Sequence, residues 1–114
     1  MAEFLLLFRG TDRRNLNQSP EQMQALMQKW MGWMGEITKQ GKMVAAQPLE
    51  SSGKVIKGTK KVITDGPFAE GKEVIGGYLL CKADTIDEAI EMSKGCPILE
   101  FDEGTVEVRP IGQM

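Results

Sequence analysis

The segment Glu3-Phe4-Leu5-Leu6-Leu7-Phe8-Arg9 restricts the possible folds of this chain more than any other stretch. Side chains of a strand alternate between the two faces of a sheet, so Phe4, Leu6 and Phe8 point one way and Leu5 and Leu7 the other. Both sets are apolar, and a strand of that kind must be covered on both faces. The run is too short for a membrane span. It also lacks the basic start and the small-residue cleavage site of a secretory signal.

Two segments have the character of covering helices. In Ser19-Pro20-Glu21-Gln22, Ser19 is a cap, Pro20 suits a first helical position and Gln22 stands where a capping-box partner belongs. Met23, Leu26, Met27, Trp30, Trp33, Met34 and Ile37 then recur at steps of three and four, which predicts an amphipathic helix with this stripe facing the core. Gly41 ends it. Thr85-Ile86-Asp87-Glu88 has the spacing of a second capping box, with Ile86, Ala89, Ile90 and Ser93 as the inner face and Gly95-Cys96-Pro97 as the stop.

Residues 43–50, 74–83 and 105–110 read as further strands, the last with Val106 and Val108 on one side and Glu107 and Arg109 on the other. Residues 54–64 predict a β-ribbon bending at Gly58, and Asp65-Gly66-Pro67-Phe68 a sharp turn. Gly76 and Gly77 interrupt the third main strand, which points to a bulge or to a close approach of backbone or ligand. The order βαββαβ predicts a single α+β domain over residues 1–114: a ferredoxin-like antiparallel sheet with two helices on one face, plus an extra β-ribbon.

Two helices cover only one face. The other carries Leu5 and Leu7, together with either Val74, Gly76, Tyr78 and Leu80 or their neighbours. An open patch of a few hundred Å² is rare on a soluble monomer. At ~25 cal/mol per Å² its burial contributes several kcal/mol before association costs. The expected solution is a homodimer packed sheet to sheet about a twofold axis, with a cleft for a small-molecule ligand where the sheets meet imperfectly.

Charge and composition exclude several functions. Fourteen basic and sixteen acidic residues give a net charge of −2 with no block of either sign, so direct nucleic-acid binding is not expected. The four lysines between Lys54 and Lys61 read as a solvated hairpin that guards a strand edge. There is no histidine, which removes His-based triads, dyads and metal sites. Cys81 and Cys96 have no metal-ligand spacing, and no metal or organic cofactor is indicated. Reduced thiols imply a cytoplasmic location, with no membrane association. Cys81 reads as buried and inert, and Cys96 lacks the positive surroundings that would activate it.

Asp65, Glu70 and Glu73 place three carboxylates within nine residues, with Lys72 between them. Either two of them sit close enough to raise one pKa and serve as a general base, or Asp65 caps its own turn and the others are solvated. Arg9 and Arg109 lie on strands that are neighbours in this fold, available to bind a carboxylate bidentately or to pair within the sheet. Tyr78 beside the glycine pair either walls a pocket or packs in the core with a hydroxyl partner.

Asp65-Gly66-Pro67-Phe68-Ala69-Glu70-Gly71-Lys72-Glu73, followed by Gly76-Gly77-Tyr78, resembles the signature of the YCII-related family, often called DGPF-domain proteins. Asp87-Glu88-Ala89, Cys96-Pro97 and Glu107-Val108-Arg109-Pro110 carry the resemblance along nearly the whole chain. It implies a dimeric α/β barrel and a biochemical role that is mostly unassigned. A His and Asp pair proposed as enzymatic in some relatives does not transfer, because this chain has no His. Many members have Thr at the position of Gly71. Others are linked with sigma-factor-type transcription proteins. The resulting expectation is a small-molecule-binding or weakly catalytic homodimer with a cleft near the DGPF loop, its ligand-binding residues drawn from Arg9, Asp65, Phe68, Lys72, Gly76, Gly77, Tyr78 and Arg109. The alternative is a regulatory module with a transcription-related protein partner.

Overall fold

The structure, a computed structural model, describes residues 1–11, 19–66 and 73–113, without the side chains of Thr11 and Glu73. Along the chain come β1 (Ala2–Thr11), α1 (Pro20–Lys39), β2 (Met43–Pro48), β3 (Gly53–Lys57), β4 (Val62–Gly66), β5 (Glu73–Ala83), α2 (Ile86–Ser93), a 3-10 turn (Pro97–Glu100) and β6 (Thr105–Pro110). The doubly apolar β1 takes the protected centre of a four-stranded sheet ordered β2-β5-β1-β6, every pairing antiparallel. This is a mixed α+β fold of ferredoxin-like topology, built from the expected order of elements. β3 and β4 pair only with each other, as a separate two-stranded ribbon.

The predicted inner set of β1 forms the core. Phe4, Leu6 and Phe8 are buried with Leu79, Cys81 and Ala83 of β5, and with Ile37, Ala89 and Cys96 from the helical side. Phe8, Trp30 and Trp33 meet edge to face, with ring centroids 5.1, 5.8 and 5.9 Å apart, a geometry favoured by the ring quadrupoles. Trp33 Nε1 donates a 2.9 Å hydrogen bond to the Met92 carbonyl, tying α1 to α2.

The first capping box forms as expected: Ser19 Oγ accepts from Gln22 N at 3.1 Å and Gln22 Oε1 from Ser19 N at 2.9 Å. The second is only half reciprocal. Thr85 Oγ1 accepts from Glu88 N, but Glu88 reaches past Thr85 to Asp84 N and also pairs with Lys42.

Two inner-face expectations need correction. Met23 and Met27 stand 57% and 61% exposed rather than in the core. The first two turns of α1, Pro20 to Met27, contribute no side chain to the core cluster. Only its second half, with Trp30, Trp33, Met34 and Ile37, lies over the sheet. On α2 the residues against the sheet are the small Ala89 and Ser93, while Ile86 and Ile90 are 40% and 39% exposed. Small contacts let α2 approach closely, and its isoleucines flank the contact. Among the described residues no helix is long and apolar enough to cross a membrane.

Candidate functional site

Register settles which side chains share the helix-free face of the sheet. Leu5 lies opposite Leu80 and Arg109, and Leu7 opposite Tyr78 and Glu107. Directly paired residues face the same side, so Tyr78 and Leu80 join Leu5 and Leu7 there. The β1–β5 pairing then slips between Phe8 and Arg9, which face Gly77 and Ile75 and leave Gly76 as the extra residue. This bulge reverses the alternation. Ile75, not Val74, joins the open face.

The two glycines do different work. A Cβ on Gly77 would stand 3.0 Å from the Gln47 carbonyl oxygen and 3.3 Å from Pro48 Cα, so the close approach there is that of the β2 backbone. Gly76 has open space beside it, and its carbonyl accepts a 2.9 Å hydrogen bond from Leu49 N. The bulge therefore anchors the chain where it leaves β2.

That anchor completes an open cleft of about 570 Å³ lined by Leu5, Leu7, Leu49, Glu50, Ser52, Ile75 and Tyr78. Its walls are aliphatic and aromatic. Among the lining residues Glu50, Ser52 and Tyr78 carry polar side chains. Tyr78 Oη lies 3.5 Å from Gln47 Oε1, too long for a strong bond, so the hydroxyl is held loosely. A cleft of this kind suits a flat, largely apolar molecule with one polar edge.

The sequence candidates divide. Tyr78 lines the cleft, with Gly76 and Gly77 shaping its edge through the backbone. Asp65 does not line it: on the ribbon its carboxylate pairs with Lys54 and is 89% exposed, as a solvated structural pair. Phe68, Glu70 and Lys72 lie outside the described residues, as does the Glu73 side chain. Arg9 and Arg109 are brought together by a group assigned no role from the sequence. Glu107 stands between them, with Oε1 3.2 Å from Arg9 and Oε2 3.8 Å from Arg109 Nε. Arg9 Nε is buried and has no hydrogen-bond partner among the described residues. This charged row occupies the β6 side of the open face.

Leu49, Glu50, Ser52 and Ile75 were not expected. The first three follow the end of β2, which stops at Pro48 rather than at Glu50, and Ile75 comes from a one-residue slip. Both cysteines are remote and inert: burial raises the Cys81 thiol and pushes Cys96 up to about 12.

Among solved structures the chain is similar in fold to 5-chloro-2-hydroxyhydroquinone dehydrochlorinase from Burkholderia phenoliruptrix AC1100, in complex with 2,5-dihydroxybenzoquinone. The TM-score is 0.50 at 13% identity, over 98% of this chain and 95% of that one. Among curated proteins it is 29% identical over 91 residues to an uncharacterized protein of Rhizobium meliloti (strain 1021), covering 78% of this chain and 69% of that one. The model of the YCII-related domain matches residues 4–114, where the DGPF signature, the bulged strand and the last strand all fall. By that match the chain belongs to the YCII-related family.

Proposed function

We propose that this chain is a cytoplasmic homodimer that binds, and weakly transforms, a small ring compound in the cleft on the helix-free face of its sheet. The observation that supports this most is the cleft itself: about 570 Å³ of apolar wall with a loosely held phenol and a carboxylate at its edge. Leu5, Leu7 and Leu80 stay only half-buried in one copy, which favours a second copy packed over the same face. The fold neighbour's ligand, a dihydroxylated quinone, has the flat shape and polar edge that this cleft suits. Glu50, which lines the cleft, takes a proton from such a ligand, a part for which the sequence offered Asp65, Glu70 and Glu73.

The test is saturation-transfer NMR with 2,5-dihydroxybenzoquinone and a panel of hydroxylated aromatic acids. Transfer to at least one ring compound is expected from the wild type. Tyr78→Phe should weaken binding about fivefold, the value of one ordinary hydrogen bond. A wild type that transfers to none of them ends the reading.

A further inference from the structure

The β3–β4 ribbon stands apart from the body of the fold. Its strands pair through five rungs, and neither makes an extensive contact with any other element. One ribbon face carries the cross-strand pair Ile56 and Ile63, which are 67% and 64% exposed, beside the Lys54–Asp65 ion pair. Val62 on the other face is 53% exposed. A two-stranded hairpin alone is marginal in water and needs a surface to lie on. Within its own chain this ribbon has none among the described residues.

Three observations identify the occupant. The ribbon springs from Gly53, directly after Leu49, Glu50 and Ser52 on the rim of the cleft, so its base is at the edge of the open sheet face. The sheet face alone is also too small. Strands of 10, 6, 11 and 6 residues cover ~520 Å² in projection, against the ~800 Å² per partner of a standard stable interface. A five-rung hairpin offers ~170 Å² on one face, and in a twofold pair each copy both lends one arm and receives another, which brings the total to ~860 Å². Charge agrees. Four lysines and one aspartate give residues 53–66 a net charge of +3, so with −2 overall the rest of the chain carries −5. A basic arm and an acidic body are complementary between copies.

We propose that the β3–β4 ribbon is an arm that clasps a second copy of this chain, laying Ile56 and Ile63 on that copy's body. The inference rests on the dimer reading above. In the clasped pair each arm closes the cleft from the side, so that the ligand site is completed by the assembly.

The experiment uses the full chain in two ways. First, light scattering compares the wild type with the double variant Ile56→Ser, Ile63→Ser. The dimer dissociation constant is expected to rise on the order of a hundredfold, because a twofold interface counts each substitution twice, while the far-UV spectrum is unchanged. Second, Ile56→Cys is labelled with a benzophenone maleimide, which the buried native thiols leave selective for position 56. It is then mixed with nitrogen-15-labelled protein and photolysed. Cross-links joining the two isotopic forms are expected. A dimeric wild type with cross-links only inside one chain, and a double variant that dimerises as well as the parent, overturns the arm and leaves the dimer standing. A wild type monomeric at about 100 µM overturns the dimer and the arm together. Photolysis in a lysate that joins position 56 to an unrelated protein and never to a second copy overturns the choice of occupant.

Discussion

Among the described glycines Gly104 has the least room for a side chain. A Cβ there would stand 1.9 Å from the Ile98 carbonyl oxygen, a backbone atom of the 3-10 turn that cannot step aside. Gly104→Ala is expected to lower stability by about 1–3 kcal/mol in chemical denaturation, the usual range for overpacking. Glu88 makes a different prediction. The hydrogen bond from Lys42, followed by that from Asp84 N, holds its carboxyl below the ordinary carboxylate range. A depressed folded value means stability that is present above the unfolded value and lost as pH falls through the folded one. The stability gap between wild type and Glu88→Gln is therefore expected to be widest near neutrality and to shrink on acidification. A gap independent of pH would count against the pairing. The buried thiols provide a control for both: neither Cys81 nor Cys96 should react with a thiol reagent until denaturant is added.

Among the elements, α1 was the most readable, because its start rests on a local exchange of hydrogen bonds between Ser19 and Gln22. Its inner face was read too broadly. Periodicity marks an apolar stripe but not how far the sheet beneath it extends, so Met23 and Met27 were counted as core. For α2 the expected inner face holds at Ala89 and Ser93 and fails at Ile86 and Ile90, which flank the contact. The glycine pair in β5 announced an irregularity, yet alternation alone could not say which side chains would change face beyond it. Tyr78 was legible at the site because it sits on a regular stretch. Glu50 was not, because a turn after β2 carries it there. Deleting Gly76 would restore strict alternation with Ile75 still opposite Arg9 on the open face, and would remove the carbonyl that holds Leu49 at the cleft. Cleft binding is expected to weaken in that variant, while Trp30 and Trp33, packed on the far side, should keep their fluorescence. Loss of the native tryptophan signal would mean that the bulge serves the core. For the contact between helices, Trp33→Phe should cost more than the ~1 kcal/mol of the bond to the Met92 carbonyl, since it also removes part of the ring packed on Phe8 and Trp30.

For the molecule as a whole, the sheet order β2-β5-β1-β6 has a consequence in time. The central strand is the first in the chain, and both its neighbours come from the last third. During synthesis Phe4 to Phe8 emerge long before any residue that will pair with them. Neither edge of β1 is satisfied until β5 and then β6 have left the ribosome. Such long-range pairing slows folding relative to helical proteins of similar size. A nascent chain stopped before Thr105 should accordingly show no protected tryptophan cluster, and the full chain should gain it in one cooperative step. Until then the nascent chain presents a sticky, unpaired strand whose apolar residues have nothing of their own chain to bury them.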